Sequence, residues 1–239
     1  TPEGLTFAAH QAERFVPGFR LERVEGDWRD LRLVNLAYKA EGIDAAADKI
    51  RLGIDVDKLF EKTIIVKNVS LAGVRAQIDT AALGGAEPEP EEAPAAPFDP
   101  SVVPDFSVES IELTNVEALV DARAVRFERF AARIDWARGA LAVPTVTLRS
   151  LSYEEPGISA GLAHLETAFD WNGRIAALPK FVLEDIRAKV PGAEGAVKRL
   201  IVEASADATT AGVEQLDLRR VLLEGLDARL EVPQPEASA

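Results

Sequence analysis

Apolar residues recur at every second position along most of the chain. Between residues 50 and 56, the even positions hold Ile50, Leu52, Ile54 and Val56 without a break. Successive side chains of a β-strand point to opposite faces, so this period predicts strands with one apolar and one polar face. The chain is therefore predicted to be mostly β.

Two segments have a helical pattern instead. The apolar residues of segment 5–16 share one helical face, and Pro17-Gly18 would end the helix. We predict an amphipathic N-terminal helix there. A short second helix is predicted over residues 56–62, with Asp57 as its cap.

Residues 84–105 break the strand pattern. This stretch holds six of the 14 prolines and an acidic cluster. Similar strands resume after it, so we predict a proline-rich loop or disordered insertion within one continuous β segment spanning residues 1–239. The chain begins at Thr1 without an initiator Met, and we expect it to be a segment of a longer protein.

Segments 65–79, 107–121 and 217–231 share one pattern, and 146–154 is a weaker copy. In each of the three, the alternating apolar residues change parity at one small residue: Gly73, Asn115 or Gly225. Gly and Asn tolerate positive φ, so a β-bulge there would bend the strand and bring both apolar sets to one face. The alternative is two short strands joined by a tight turn, although the two turn residues typical of a hairpin are missing.

Bent strands stacked edge to edge would form a curved sheet with an apolar inner side and a charged outer side. A single sheet has no second layer to cover the apolar side, so it would either fold over as a trough or receive another element. We predict that its lining contacts lipid or a bound strand. The predicted lining residues are Val69, Leu71, Val74, Ile78, Ile111, Leu113, Val116, Val120, Val146, Leu148, Val221, Leu223, Leu226 and Leu230.

Short motifs follow one another in a fixed order near the start of the chain. They are Val16-Pro17-Gly18, Gly26-x-Trp28-Arg29-Asp30-Leu31, Gly42-Ile43, Leu59 and Ile78-Asp79. Together with the acidic spacer, the predicted strand from Phe106 to Asp121 and a Trp at position 136, this order resembles the membrane-proximal start of the TamB family of AsmA-like proteins. The resemblance covers residues 4–155, and only the strand pattern persists over 156–232.

The resemblance implies a U-shaped "β-taco" trough: a curved antiparallel sheet with a hydrophobic interior and an N-terminal helix. It implies a periplasmic protein of a Gram-negative bacterium, anchored in the inner membrane by a segment that precedes Thr1. The implied role is in the translocation and assembly module, moving phospholipid between the two membranes and supporting outer-membrane protein assembly. The family's outer-membrane barrel partner, TamA, would engage a C-terminal region absent from this chain.

The composition of the chain disfavours several classes of ligand and active site. The formal charge of −13 disfavours nucleic acids and anionic lipid surfaces, and the absence of cysteine removes thiolate chemistry. We predict no catalytic site, no metal and no cofactor: His10 and His164 read as solvated side chains, and the serines lack a nucleophile motif. Each of the three tryptophans stands beside an acid, which favours packing at strand ends, with lipid contact as the alternative: Trp28, Trp136 and Trp171.

Two functions remain open at this stage. The first is a groove that carries phospholipid acyl chains. The second is a scaffold or chaperone that binds nascent outer-membrane protein strands by β-augmentation, without lipid transport. An enzyme is not predicted.

Overall fold

The computed structural model describes residues 16–27, 29–59, 63–83, 103–209 and 212–230. Within these ranges, eleven strands form one sheet in which spatial order follows chain order. A helical turn, α1 (Val56–Leu59), lies between the third and fourth strands. The strands are β1 (Phe19–Asp27), β2 (Asp30–Ala40), β3 (Ile43–Ile54), β4 (Ile64–Ile78), β5 (Phe106–Val120), β6 (Arg123–Ala137), β7 (Ala140–Glu155), β8 (Ile158–Trp171), β9 (Ile175–Val190), β10 (Ala193–Thr209) and β11 (Gly212–Leu230).

The sheet is open and mostly antiparallel, which confirms the predicted fold class. Each described strand contacts only the strands beside it, and β1 and β11 do not meet to close a barrel. This open sheet is consistent with a curved, taco-like groove. One pair departs from the antiparallel arrangement: β4 and β5 run parallel, with Ile64 beside Phe106 and Ile78 beside Val120.

The structure describes one of the two predicted helices. The N-terminal helix falls on residues 5–16, which lie outside the described residues except for the last one. The second helix is present over Val56–Leu59, and residues 60–62 of the prediction lie outside the described residues. Its cap is Asp55 rather than Asp57, because the Asp57 amide donates a hydrogen bond of 3.2 Å to the Asp55 carboxylate. A hydrogen bond from the Lys67 side chain holds the pKa of Asp55 below its usual value, and hydrogen bonds from the backbone amides of Asp57 and Lys58 lower it further.

The three small residues at the parity change lie inside continuous strands. Gly73, Asn115 and Gly225 have φ values of 65°, 52° and 64°, in the left-handed region. The register is the same on both sides of them: Leu71 pairs with Leu113, and Val74 pairs with Val116. These positions are therefore neither tight turns nor two-against-one bulges, and each bends its strand without adding a residue.

Register shifts occur nearer the start of the same strands. Between β3 and β4, the pairing slips at Lys67, six residues before Gly73. Equivalent shifts fall between Val108 and Ile111 in β5 and between Val143 and Val146 in β7. The extra residues that define β-bulges thus lie on a second line across the sheet, which the sequence pattern did not predict.

Strand pairing places one residue of every strand on a single line, which we call the crease. The pairs on either side of each position fix this line. Its members are Glu22, Asn35, Asp48, Gly73, Asn115, Glu128, Ser150, Ala163, Asp185, Lys198 and Gly225. Six of them have positive φ: Asn35, Gly73, Asn115, Ser150, Asp185 and Gly225.

The left-handed residues follow strand direction. β2, β4, β5, β7, β9 and β11 run the same way, and each carries one of the six. The five strands that run the opposite way cross the crease with ordinary φ. Side chains of neighbouring crease residues also bond to each other along the crease. Ser150 donates a hydrogen bond of 3.0 Å to Glu128, and Asn35 donates one to Glu22.

No described side chain is fully buried. The most buried apolar residues are each 6–7% exposed: Ala47, Ala124, Ala132, Trp136, Val182 and Ile201. A domain normally hides its apolar faces between two packed layers. Here one layer is described, so most of its apolar side chains remain partly open to solvent.

Candidate functional site

One face of the sheet carries a row of large apolar side chains beside the crease. Directly paired residues of neighbouring strands point to the same face, so the register alone defines the row. It crosses all eleven described strands: Val24, Leu33, Ile50, Leu71, Leu113, Phe130, Leu148, Leu165, Leu183, Leu200 and Leu223.

A second apolar row lies on the other side of the crease. Its residues have the opposite parity, but the bend brings them to the same face. The row consists of Leu21, Leu36, Ala47, Val74, Val116, Phe127, Leu151, Leu162, Ile186, Val197 and Leu226. We call the face that bears these two rows the apolar face, and the opposite side the charged face.

All fourteen predicted lining residues lie on the apolar face, in four rows. Two of these rows are the ones beside the crease. A third joins Val69, Ile111, Val146 and Val221 through direct pairs, and a rim row contains Ile78, Val120 and Leu230. Whether they contact lipid or protein remains a prediction.

Sequence reasoning missed the contributions of β6 and of β8 to β10. Phe130, Leu165, Leu183 and Leu200 are members of the first row, yet they lie outside the recognised repeats. The signal was present as the same parity change, for example from Leu183 to Ile186. It was overlooked because the residue at the change is Asp, Glu, Ala or Lys there, rather than Gly or Asn.

The apolar face is accessible. In β11, which has a described neighbour on one side only, Val221, Leu223, Leu226 and Leu230 are 51–77% exposed. Residues such as Leu71 and Leu113 in the middle of the sheet are half-buried. A contiguous exposed apolar area of this kind is typical of an interaction surface.

The charged face is covered by cross-strand ion pairs. Arg126 bridges Glu117 and Glu154 on the two neighbouring strands, at 2.7 and 2.9 Å. Asp30 receives hydrogen bonds from Arg51 and Arg32, which hold its pKa at about 2. These pairs hold the charged side chains against the outer side of the sheet.

Aromatic rings line one rim of the apolar face. Phe106 stacks on Trp136 with ring centroids 6.3 Å apart, and Trp136 meets Trp171 at 6.0 Å. Paired residues link the three rings in one row, because Phe106 pairs with Trp136 and both Trp136 and Trp171 pair with Leu141. Trp28 lies outside the described residues.

A polar cluster lies at the opposite rim of the same face. Arg123 Nε lies 3.3 Å from a carboxylate oxygen of Glu155, and the Tyr153 hydroxyl donates a hydrogen bond to the same oxygen. That contact raises the pKa of Tyr153. The strand register places two charged side chains of the described strands on the apolar face at a distance from the crease. They are Arg123 and Glu155.

The candidate metal ligands and the histidines can also be located in the described chain. No group of three or more His, Cys, Asp or Glu side chains that could hold a metal ion occurs within those ranges. His164 lies on the charged face, paired with Arg149 and Glu184, and His10 falls outside the described ranges. Among the helices seen there, none has the length and apolar character needed to cross a membrane.

A single-layer open sheet with one apolar face and one charged face defines a β-groove protein. The sequence profile of the family described as "TamB, N-terminal domain" matches residues 1–160, two thirds of the chain. The chain therefore belongs to the TamB family, through its N-terminal part, and the resemblance seen in the sequence is confirmed.

A curated relative adds a weaker similarity. An uncharacterized protein of Buchnera aphidicola subsp. Acyrthosiphon pisum (strain APS) is 28% identical over 71 residues, which is 30% of this chain. The match spans 7% of that protein's length.

Proposed function

We propose that this chain forms part of a bridge-like carrier in which the apolar face holds phospholipid acyl chains. In this proposal it lies in the periplasm, anchored to the inner membrane, and moves lipid between the two membranes while supporting outer-membrane protein assembly. Membership of the TamB family supports the setting. The observation that carries the proposal is the set of parallel apolar rows that cross every described strand.

The energetics favour an acyl chain as the occupant. Moving a chain of about fifteen methylenes out of water gains about 12 kcal/mol, at roughly 0.8 kcal/mol per CH₂. Aliphatic rows make this contact without directional bonds. Neighbouring positions along a row offer nearly the same surface, so a bound chain can slide from strand to strand.

The test uses two adjacent residues of β11 that face opposite ways. Leu223 lies on the apolar face and pairs with Leu200, while Leu222 lies on the charged face and pairs with Ile201. The chain is purified after expression in bacteria, extracted with organic solvent and analysed for phospholipid by mass spectrometry. We expect Leu223→Asp to lower the lipid bound per protein severalfold, because a carboxylate would enter the acyl path.

Leu222→Asp is the matched control, with the same substitution one residue away, and we expect its lipid content to equal that of the original chain. Circular dichroism checks that both variants keep their β structure. Leu223 is already 51% exposed, so its replacement removes little buried area. Absence of phospholipid from the original chain, or equal loss in both variants, would refute the proposal.

A scaffold for outer-membrane protein strands is the second candidate. It is favoured by β11, a 19-residue strand whose other edge has no described neighbour and could pair with an added strand. This function predicts that a β-strand peptide binds the chain equally well before and after Leu223→Asp. TamA, engaged through another region of the protein, is the partner that family membership suggests for either function.

A further inference from the structure

We propose that Arg123, Glu155 and Tyr153 form a binding site for the headgroup of a zwitterionic phospholipid, with the phosphate on Arg123 and the ammonium on Glu155. This inference rests on the proposed lipid function and adds a headgroup preference to it. It commits the groove to lipids that carry both charges, such as phosphatidylethanolamine.

The position of the cluster fits a headgroup. Arg123 begins β6 and Glu155 ends β7, so both lie at a rim of the sheet beside turns. Their neighbours along the rim row are Val120 and Ile158, both apolar. The next positions inward on the same face are Val125 and Tyr153, which pair directly. A headgroup held at this rim therefore leaves its acyl chains lying on the apolar rows.

The side chains have the required chemistry. A guanidinium donates several N–H groups to phosphate oxygens in a fixed planar geometry. Arg123 is 67% exposed, so its guanidinium is reachable, and Glu155 is 23% exposed. The Tyr153 hydroxyl and Arg123 Nε both bind the Glu155 carboxylate, which orients it at the rim.

Charge favours a zwitterion over an anion. Arg123 and Glu155 form a neutral pair, so an anionic headgroup would have to lie beside the carboxylate with no compensating cation. A headgroup with both charges instead makes one favourable contact with each member of the pair.

The test is a competition between headgroups. The full chain is incubated with vesicles of equal parts phosphatidylethanolamine and phosphatidylglycerol, re-isolated and extracted, and the bound lipids are quantified by mass spectrometry. We expect phosphatidylethanolamine to be enriched about threefold over the input, the scale of one partly exposed ionic contact. Arg123→Gln combined with Glu155→Gln should return the ratio to that of the vesicles.

A matched ion pair on the charged face serves as the control. Arg126 and Glu154 lie on the same two strands, 2.9 Å apart, and Arg126→Gln with Glu154→Gln should keep the enrichment. Glu155→Gln alone should shift binding toward phosphatidylglycerol, because it leaves Arg123 without its carboxylate.

The outcomes separate this inference from the function beneath it. Lipid bound in the input ratio, or enrichment that survives loss of both charges, overturns the headgroup site and leaves the acyl groove standing. No lipid bound to the original chain overturns both.

Discussion

At the scale of the residue, the crease depends on backbone conformation rather than on side-chain size. Six crease residues adopt φ between 52° and 65°, and only two of them are glycine. Three of the other four are Asn or Asp, whose short polar side chains tolerate the left-handed region better than most, and the fourth is Ser150. Asn35, Ser150 and Asp185 therefore bend their strands as Gly73 does, although the sequence pattern did not single them out.

Replacing Asn115 tests this requirement. We expect Asn115→Val to lower the free energy of unfolding by roughly 1–2 kcal/mol, because a β-branched residue is strained at positive φ. Asn115→Gly should change it by less than about 0.5 kcal/mol, since glycine adopts this region freely. Urea unfolding measures both. Thr114→Val, one residue away at ordinary φ, is the control, and an equal loss there would contradict the explanation.

Asp30 gives a pH prediction at the same scale. Hydrogen bonds from Arg51 and Arg32 lower its pKa from 3.8 to about 2 in the folded chain. Because this pKa is lower in the folded chain than in the unfolded chain, the ionised Asp30 stabilises the fold at pH values above about 4, the pKa in the unfolded chain. This contribution is lost as the pH falls toward 2. The stability difference between the original chain and Asp30→Asn should therefore shrink between pH 5 and pH 2.

Urea titrations at pH 7, 5, 3 and 2 would measure that difference. Because the pair is at the surface, 1 M salt should reduce the difference at neutral pH. A difference that grows in acid would show that the Arg51 contact does not stabilise the fold.

At the scale of the element, strand direction organises the repeat. The three recognised repeats and the weaker copy correspond to β4, β5, β11 and β7, all of which run the same way. Strands of the opposite direction show the same parity change but cross the crease with ordinary φ, so no glycine or asparagine marks the change there. The repeating unit of the sequence is therefore one strand of a given direction, and its neighbours match it through pairing.

The parallel pair of β4 and β5 depends on the length of its connection. β4 has fifteen residues, about 50 Å at roughly 3.3 Å per residue, and the chain must return that distance to begin β5 beside Ile64. Residues 79–105 supply the return. Deleting 84–102 would leave 79–83 and 103–105, which reach at most about 29 Å. We expect that variant to lose the parallel register.

Crosslinking can detect the loss, because the chain has no native cysteine. Gln77 pairs with Leu119, so Gln77→Cys and Leu119→Cys should join through a short bismaleimide in the full-length chain. The 84–102 deletion should abolish the crosslink. Deleting 88–93 instead keeps enough chain to return and should preserve it. Crosslinking that persists in the longer deletion would contradict this account.

At the scale of the whole molecule, the sheet leaves its apolar face uncovered by any described element. Each described strand touches only its neighbours, so stability comes from ladder hydrogen bonds and from side chains packed along the rows. An occupant of the face would supply the second layer that a domain normally contains. The sheet extends beyond the family match at residue 160 through β11 without a break in pairing.

The sequence by itself determined the strand period, the apolar face of the repeats and the positions where the parity changes. These features are local, because alternation and tolerance of positive φ are properties of a few adjacent residues. Leu71, Leu113 and Leu223 could thus be assigned to equivalent positions from their surroundings alone.

Tertiary structure decided what depends on pairing. The register aligned the six left-handed positions into one crease across eleven strands, placed β5 parallel to β4 and brought Arg123 beside Glu155 from different strands. Residues distant in sequence meet only when strands are placed edge to edge, and no local pattern encodes which partner or direction is chosen. For the same reason, the second line across the sheet, on which the β-bulges lie, could not be predicted. Each bulge is a slip in the pairing of two strands, and the sequence pattern of one strand does not contain it.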